Sequence, residues 1–208
     1  MSGGALAKMP LPYDAKIEYL ESNGRQRINT GVFFHAGDYP SFIIDCELLQ
    51  LNTKYSSVPV GYYRPWGSGY DHASLLIPKS GGELWFAFGT TSDYDIYTGF
   101  SLNTRYRIIA NTPTGNYVNG ALIGTKYATV THNSTKPVYL FVRNADGNVS
   151  AEVFIGRIYS CQIIVNDEIV RDYIPVRVGQ VGYMYDKVSG ELFGNSGTGD
   201  FILGSDKT

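Results

Sequence analysis

Apolar and polar residues alternate with a period of two along most of this chain, and glycine, proline, asparagine or aspartate interrupts the pattern every few residues. The clearest case is residues 41–51, where Phe42, Ile44, Cys46 and Leu48 fall on one face and predict a long, half-buried strand. Residues 57–63, 74–77, 83–89, 95–98, 105–111, 116–118 and 138–143 repeat the pattern in shorter pieces. Near the start, 17–19 and 27–32 flank a Ser-Asn-Gly turn at 22–24. Asn119 and Gly120 give the strongest hairpin signal, because a two-residue turn needs positive φ at both central positions and these residues tolerate it. Residues 64–73, with their proline and glycines, read as an irregular loop.

The last quarter, residues 156–204, holds β-like runs separated by turns, with no helical spacing. The run 157–165 turns at Asn166 and Asp167 and returns over 169–174. A second hairpin joins 181–186 to 191–194 through Val188, Ser189 and Gly190, and a glycine-rich loop at 195–199 leads to a closing strand at 201–203. A strand at the end of a chain needs a partner, and the start of the chain, 17–32, is the predicted one. Alternation over 158–165 groups Tyr159, Cys161, Ile163 and Val165 on one face. Cys46 and Cys161 therefore read as small core residues, with a disulfide open to them if their strands adjoin. About a dozen short, closely spaced strands predict an all-β, jelly-roll β-sandwich of two antiparallel sheets.

Composition supports that reading. A chain of 208 residues with 17 Tyr, 10 Phe, 2 Trp and 24 Gly, but only 17% charged residues, suits strands joined by many turns in one domain. The formal charge of −2 and the absence of a basic block give no general pull toward nucleic acid or acidic lipid, so neither a nucleic-acid nor a membrane partner is expected. Residues 1–12 read as a flexible arm before a domain over 13–208. They lack the apolar core of a signal peptide, so either the protein acts without Sec export or a leader has been removed.

The two ends carry a recognisable pairing: I-E-Y-L-E-S-N-G and I-N-T-G at the start, then G-R-I-Y-S-C, R-D-Y-I-P and G-Y-M-Y-D-K-V-S-G-E-L-F-G-N-S-G-T-G-D-F at the end. This pattern resembles the concanavalin A-like lectin/glucanase sandwich of laminin-G type, found in phage virion proteins and in surface proteins of gut bacteria. It covers about a third of the chain, and the piece N-Y-V-N-G-A-L-I-G resembles the family's strand–turn–strand unit. The resemblance implies a concanavalin A-like jelly roll. It also implies a virion location on capsid or tail, with other virion proteins or further copies of the chain as partners in a homo-oligomer. The alternative it leaves is the surface of a bacterial cell.

Because such sandwiches include glycoside hydrolases, paired carboxylates are the first chemistry to seek. The family's E-x-D-x-x-E or E-x-D-x-E strand pattern is absent. Asp45 and Glu47, and likewise Asp93 and Asp95, share a face two residues apart, but read as a solvated strand edge or loop. No G-x-S-x-G or phosphate-binding loop occurs, so the chain is expected not to be an enzyme. Binding is better served. Residues 61–72, GYYRPWGSGYDH, concentrate Tyr62, Tyr63, Arg64, Trp66, Tyr70, Asp71 and His72, the aromatic faces and polar heads that hold a sugar. For Trp66 the other readings are a cap on the core edge or a contact with a neighbouring subunit. Asp93 and Asp95, in TSDYDIY, are candidate ligands for calcium, an ion that laminin-G-type modules often carry. The sequence thus points to a non-catalytic, lectin-like binding module: a virion decoration, fibre or adhesin, with a host-surface glycan as candidate ligand.

Overall fold

The computed structural model describes residues 11–66, 69–90, 94–145 and 148–207, with the backbone alone for 65, 66, 69, 70, 145 and 148–150. The described residues form strands and no helix. In chain order the early strands are β1 (Ala15–Lys16), β2 (Leu20–Asn23), β3 (Ile28–Asn29), β4 (Pro40–Gln50), β5 (Val60–Trp66), β6 (Gly69–Leu76) and β7 (Gly82–Gly89). The middle ones are β8 (Asp95–Phe100), β9 (Arg105–Thr112), β10 (Gly115–Val118), β11 (Ala121–Gly124), β12 (Tyr139–Leu140), β13 (Val142–Ala145) and β14 (Asn148–Val153). The last are β15 (Ile155–Val165), β16 (Glu168–Val178), β17 (Val181–Asp186), β18 (Leu192–Phe193) and β19 (Ile202–Leu203).

They build two sheets. The larger runs β11-β10-β9-β4-β15-β16-β17-β18, with β2 beside β15, β19 beside β2 and β1 beside β16. The smaller runs β14-β13-β5-β6-β7-β8, with β12 and β3 completing one side. Pairing is antiparallel except between β13 and β5. The inner faces meet as a β-sandwich: the rings of Phe42 on β4 and Phe88 on β7 lie 5.7 Å apart, and those of Phe34 and Tyr62 6.4 Å. On β4 the alternation works as the sequence predicts. Phe42, Ile44, Cys46 and Leu48 are fully buried, while Ile43, Asp45 and Glu47 turn outward.

The local turn signals hold too. Asn119 and Gly120 have φ of 49° and 84° between β10 and β11, and Asn166 and Asp167 have 52° and 66° between β15 and β16. Positive φ at both positions lets a two-residue turn match the strand twist. The closing strand finds its predicted partner, since Ile202 pairs with Glu21 and Leu203 with Leu20.

Two expectations give way to tertiary pairing. The irregular loop at 64–73 is instead most of a hairpin, in register from Gly61 opposite Ser74 to Trp66 opposite Gly69. Ladder hydrogen bonds from β5 to β6 override the local proline and glycine signals. On β15 the register slips between Ile158 and Ser160, a β-bulge that inserts Tyr159 and reverses the parity of the strand. Ile158, Cys161 and Ile163 therefore face the core, and Tyr159 faces out, away from the face on which alternation places it. Cys46 and Cys161 remain buried, as free thiols whose ionisation burial disfavours.

Candidate functional site

The residues gathered at 61–72 in the sequence are dispersed by the hairpin. Strand alternation sends Tyr62 inward, where it is fully buried against Phe34. Asp71 is fully buried as well; its Oδ2 accepts hydrogen bonds from the Thr131 backbone N–H (2.8 Å), the Thr131 hydroxyl (3.2 Å) and the His132 backbone N–H (2.9 Å). It is a clamp that fixes a crossing loop to β6. His72 lies on the outer face of the smaller sheet, yet only 6% of it is exposed. Its ring packs 5.1 Å from Tyr63 and 5.9 Å from Tyr94, and the Tyr94 hydroxyl lies 3.3 Å from its Nε2. Burial, and then the Arg143 charge, lower its pKa to about 4. Burial therefore leaves almost nothing of Tyr62, Asp71 and His72 at the surface, and the hairpin does not bring the 61–72 residues together on one exposed face.

Tyr63 and Arg64 are half-buried: the Arg143 guanidinium stands 4.3 Å over the Tyr63 ring, and Arg64 donates to the Asn133 carbonyl at 2.7 Å. The side chains of Trp66 and Tyr70 lie outside the described residues. Trp85 and Tyr94 pack over Val58, Leu76 and Ala87 on the same outer face, so this sheet covers part of its own surface.

Of the two candidate calcium ligands, Asp93 lies outside the described residues. Asp95 lies against Gly124, and its Oδ2 accepts from the Asn116 amide at 2.7 Å and the Lys126 backbone N–H at 3.0 Å. Two N–H donors make this oxygen an anchor between β8 and the β10–β11 hairpin, and they poorly suit a cation at the same atom. Among the described residues no three His, Cys, Asp or Glu side chains converge as a metal set.

The outer face of the larger sheet is different. Antiparallel register lines up Arg105 on β9, Glu47 on β4, Arg157 on β15 and Glu21 on β2 in a row of alternating charge. Arg157 donates to Glu21 at 2.7 Å and to Glu47 at 3.3 Å, while the Tyr159 hydroxyl donates to Glu47 at 2.7 Å. Arg105 grips both oxygens of Asp45, at 2.7 and 2.5 Å, and its guanidinium stacks 3.9 Å over the Tyr159 ring. Burial, with the Glu47 bond, pushes the Tyr159 pKa up to about 12, so its hydroxyl stays a donor. These groups satisfy one another and stiffen their half of the face.

Beside that row lies a shallow groove of about 170 Å³. Ile43 and Ile174 provide apolar surface, and Arg107, Ser160, Gln162, Asp172 and Lys187 provide polar heads. Lys187 pairs with Asp172 at 2.6 Å. Asp45 stands directly opposite Arg107 in register, but Arg105 holds both its oxygens. No side-chain bond or ion pair engages Arg107, Ser160 or Gln162 among the described residues. The arrangement offers a guanidinium, a hydroxyl and an amide for a ligand rich in hydroxyl or carboxylate oxygens, above two aliphatic side chains.

Sequence reasoning misses this groove because its residues come from separate strands, with no local cluster. Outward parity of Ile43 on β4, and of Ser160 and Gln162 on either side of the inward Cys161, was a usable signal; the bulge displaces only Tyr159 from the face that alternation gives it. A scan of the chain against protein-family models finds no match, and a search of curated proteins finds none either.

Proposed function

We propose that this chain is a non-catalytic, lectin-like module of a virion surface, a decoration, fibre or adhesin on capsid or tail, that holds a host-associated glycan in the groove of its larger sheet. In this reading the sandwich is a concanavalin A-like jelly roll of laminin-G type. The observation that carries the binding role is the set of unengaged polar heads, Arg107, Ser160 and Gln162, above Ile43 and Ile174. Sugars need hydrogen-bonding groups beside an apolar patch, fixed on rigid elements. Glycoside hydrolysis generally needs two carboxyl groups across the scissile bond. Asp172 is the one carboxylate among the groove's described lining residues, and Lys187 holds it, which favours binding over cleavage. The virion location rests on the resemblance of the two chain ends.

Binding of the full chain to a glycan array and to host cells tests the role, with Gln162→Ala and Trp66→Ala variants beside it. The reading expects a defined set of glycans, lost with Gln162→Ala and kept with Trp66→Ala. Loss with Trp66→Ala alone would move the site to the β5–β6 hairpin, and a silent array from folded protein would reject the lectin role. Mass spectrometry of purified particles tests the location; absence of the chain from them would reject it.

A further inference from the structure

Resting on the glycan reading of the groove, we propose that its ligand is an acidic saccharide, bound one ring at a time with the sugar carboxylate on Arg107. The register explains why this guanidinium is available. Asp45 faces Arg107 across the β4–β9 pair, yet both its oxygens bond Arg105. Arg107 is exposed and has no ion pair among the described residues. The other cation of the groove, Lys187, is neutralised by Asp172. The groove therefore carries one uncompensated positive charge on a chain whose formal net charge is −2, so the attraction is local to this site.

A guanidinium presents parallel N–H groups that match the two oxygens of a carboxylate, and such charge-assisted pairs are roughly twice as strong as neutral ones. No aromatic side chain lines the groove among the described residues, so its polar heads and two aliphatic side chains carry the recognition. The neighbouring Tyr159 ring already carries the Arg105 guanidinium. Ser160 and Gln162 are left for ring hydroxyls, and Ile43 and Ile174 for the C–H face. At about 170 Å³ the groove is smaller than the roughly 300–1,000 Å³ of a typical small-molecule cleft, which gives direct contact room for one sugar ring.

Saturation-transfer NMR on the full chain tests this with galacturonic, glucuronic and N-acetylneuraminic acids against galactose and glucose. Variants Arg107→Gln and Gln162→Ala are run in parallel after thermal melts confirm their folding. The expected result is that at least one acid binds roughly tenfold more tightly than the neutral sugars, about the margin of one charge-assisted bond. Arg107→Gln removes that margin and brings the acids down to the level of the neutral sugars, while Gln162→Ala weakens both. Equal binding of acids and neutral sugars, sensitive to Gln162→Ala, would overturn the acidic class and leave the groove standing. Acid preference retained in Arg107→Gln would also overturn it. No binding of any probe, or binding indifferent to both variants, would overturn the groove itself and the inference with it.

Discussion

His72 shows how far a residue's role depends on partners distant in sequence. Beside Trp66 and Tyr70 its composition suggests a ligand contact; in the fold, Tyr63, Tyr94 and Arg143 enclose it. Its pKa falls from an ordinary 6.5 to about 4, so the folded protein resists a proton that the unfolded chain accepts. Above pH 6.5 both states hold a neutral ring, and His72 contributes nothing to pH dependence. As pH falls from 6.5 toward 4 the unfolded state is increasingly favoured, by at most about 3 kcal/mol at about 1.4 kcal/mol per pH unit. Urea unfolding from pH 7 to pH 4 checks this: His72→Gln should flatten the decline relative to the parent chain, and parallel declines would contradict it.

At the scale of elements, two glycines separate space from backbone conformation. A Cβ on Gly156 of β15 would sit 2.3 Å from the Glu47 carbonyl oxygen and 3.1 Å from the Leu48 Cα, both backbone atoms of β4. Gly156→Ala should therefore force apart two neighbouring strands at the middle of the larger sheet, at a cost of about 3 kcal/mol or more. Gly120, in the β10–β11 turn, meets nothing within 4 Å but has a φ of +84°. Gly120→Ala should cost only the left-handed backbone term, about 1–2 kcal/mol. Denaturant midpoints of the two variants compare the effects, and a larger loss at Gly120 would reverse the account. The Asn-Gly and Asn-Asp turns were legible because their chemistry is local. The Tyr159 bulge and the β5–β6 pairing were not: bulge position and ladder register are set by the strand across the sheet, which no window of sequence contains.

The whole molecule is closed by joining its two ends. β19 lies on β2, β2 on β15, and Ile17 bridges Asp206, so the first and last strands complete the larger sheet together. Phe201, 5% exposed, plugs the sandwich with its ring 5.0 Å from Phe141. Removing residues 201–208 should cost at least the roughly 3–5 kcal/mol of deleting one buried phenylalanine, and expose the edge of β2. Calorimetry should show a lower and broader transition for the truncated chain; an unchanged melt would contradict the closure. This pairing of the ends was legible as a strand in need of a partner. The groove was not, because Ile43, Arg107, Gln162 and Asp172 meet only after β9, β4, β15 and β16 are laid side by side.

The most direct test of where this protein binds is amide chemical-shift mapping of the full chain titrated in turn with galacturonic, glucuronic and N-acetylneuraminic acids. The account predicts shifts centred on Ile43, Arg107, Gln162 and Asp172, fading toward the smaller sheet. Shifts centred on Tyr63, Arg64 and His72, or none at any amide, would contradict it.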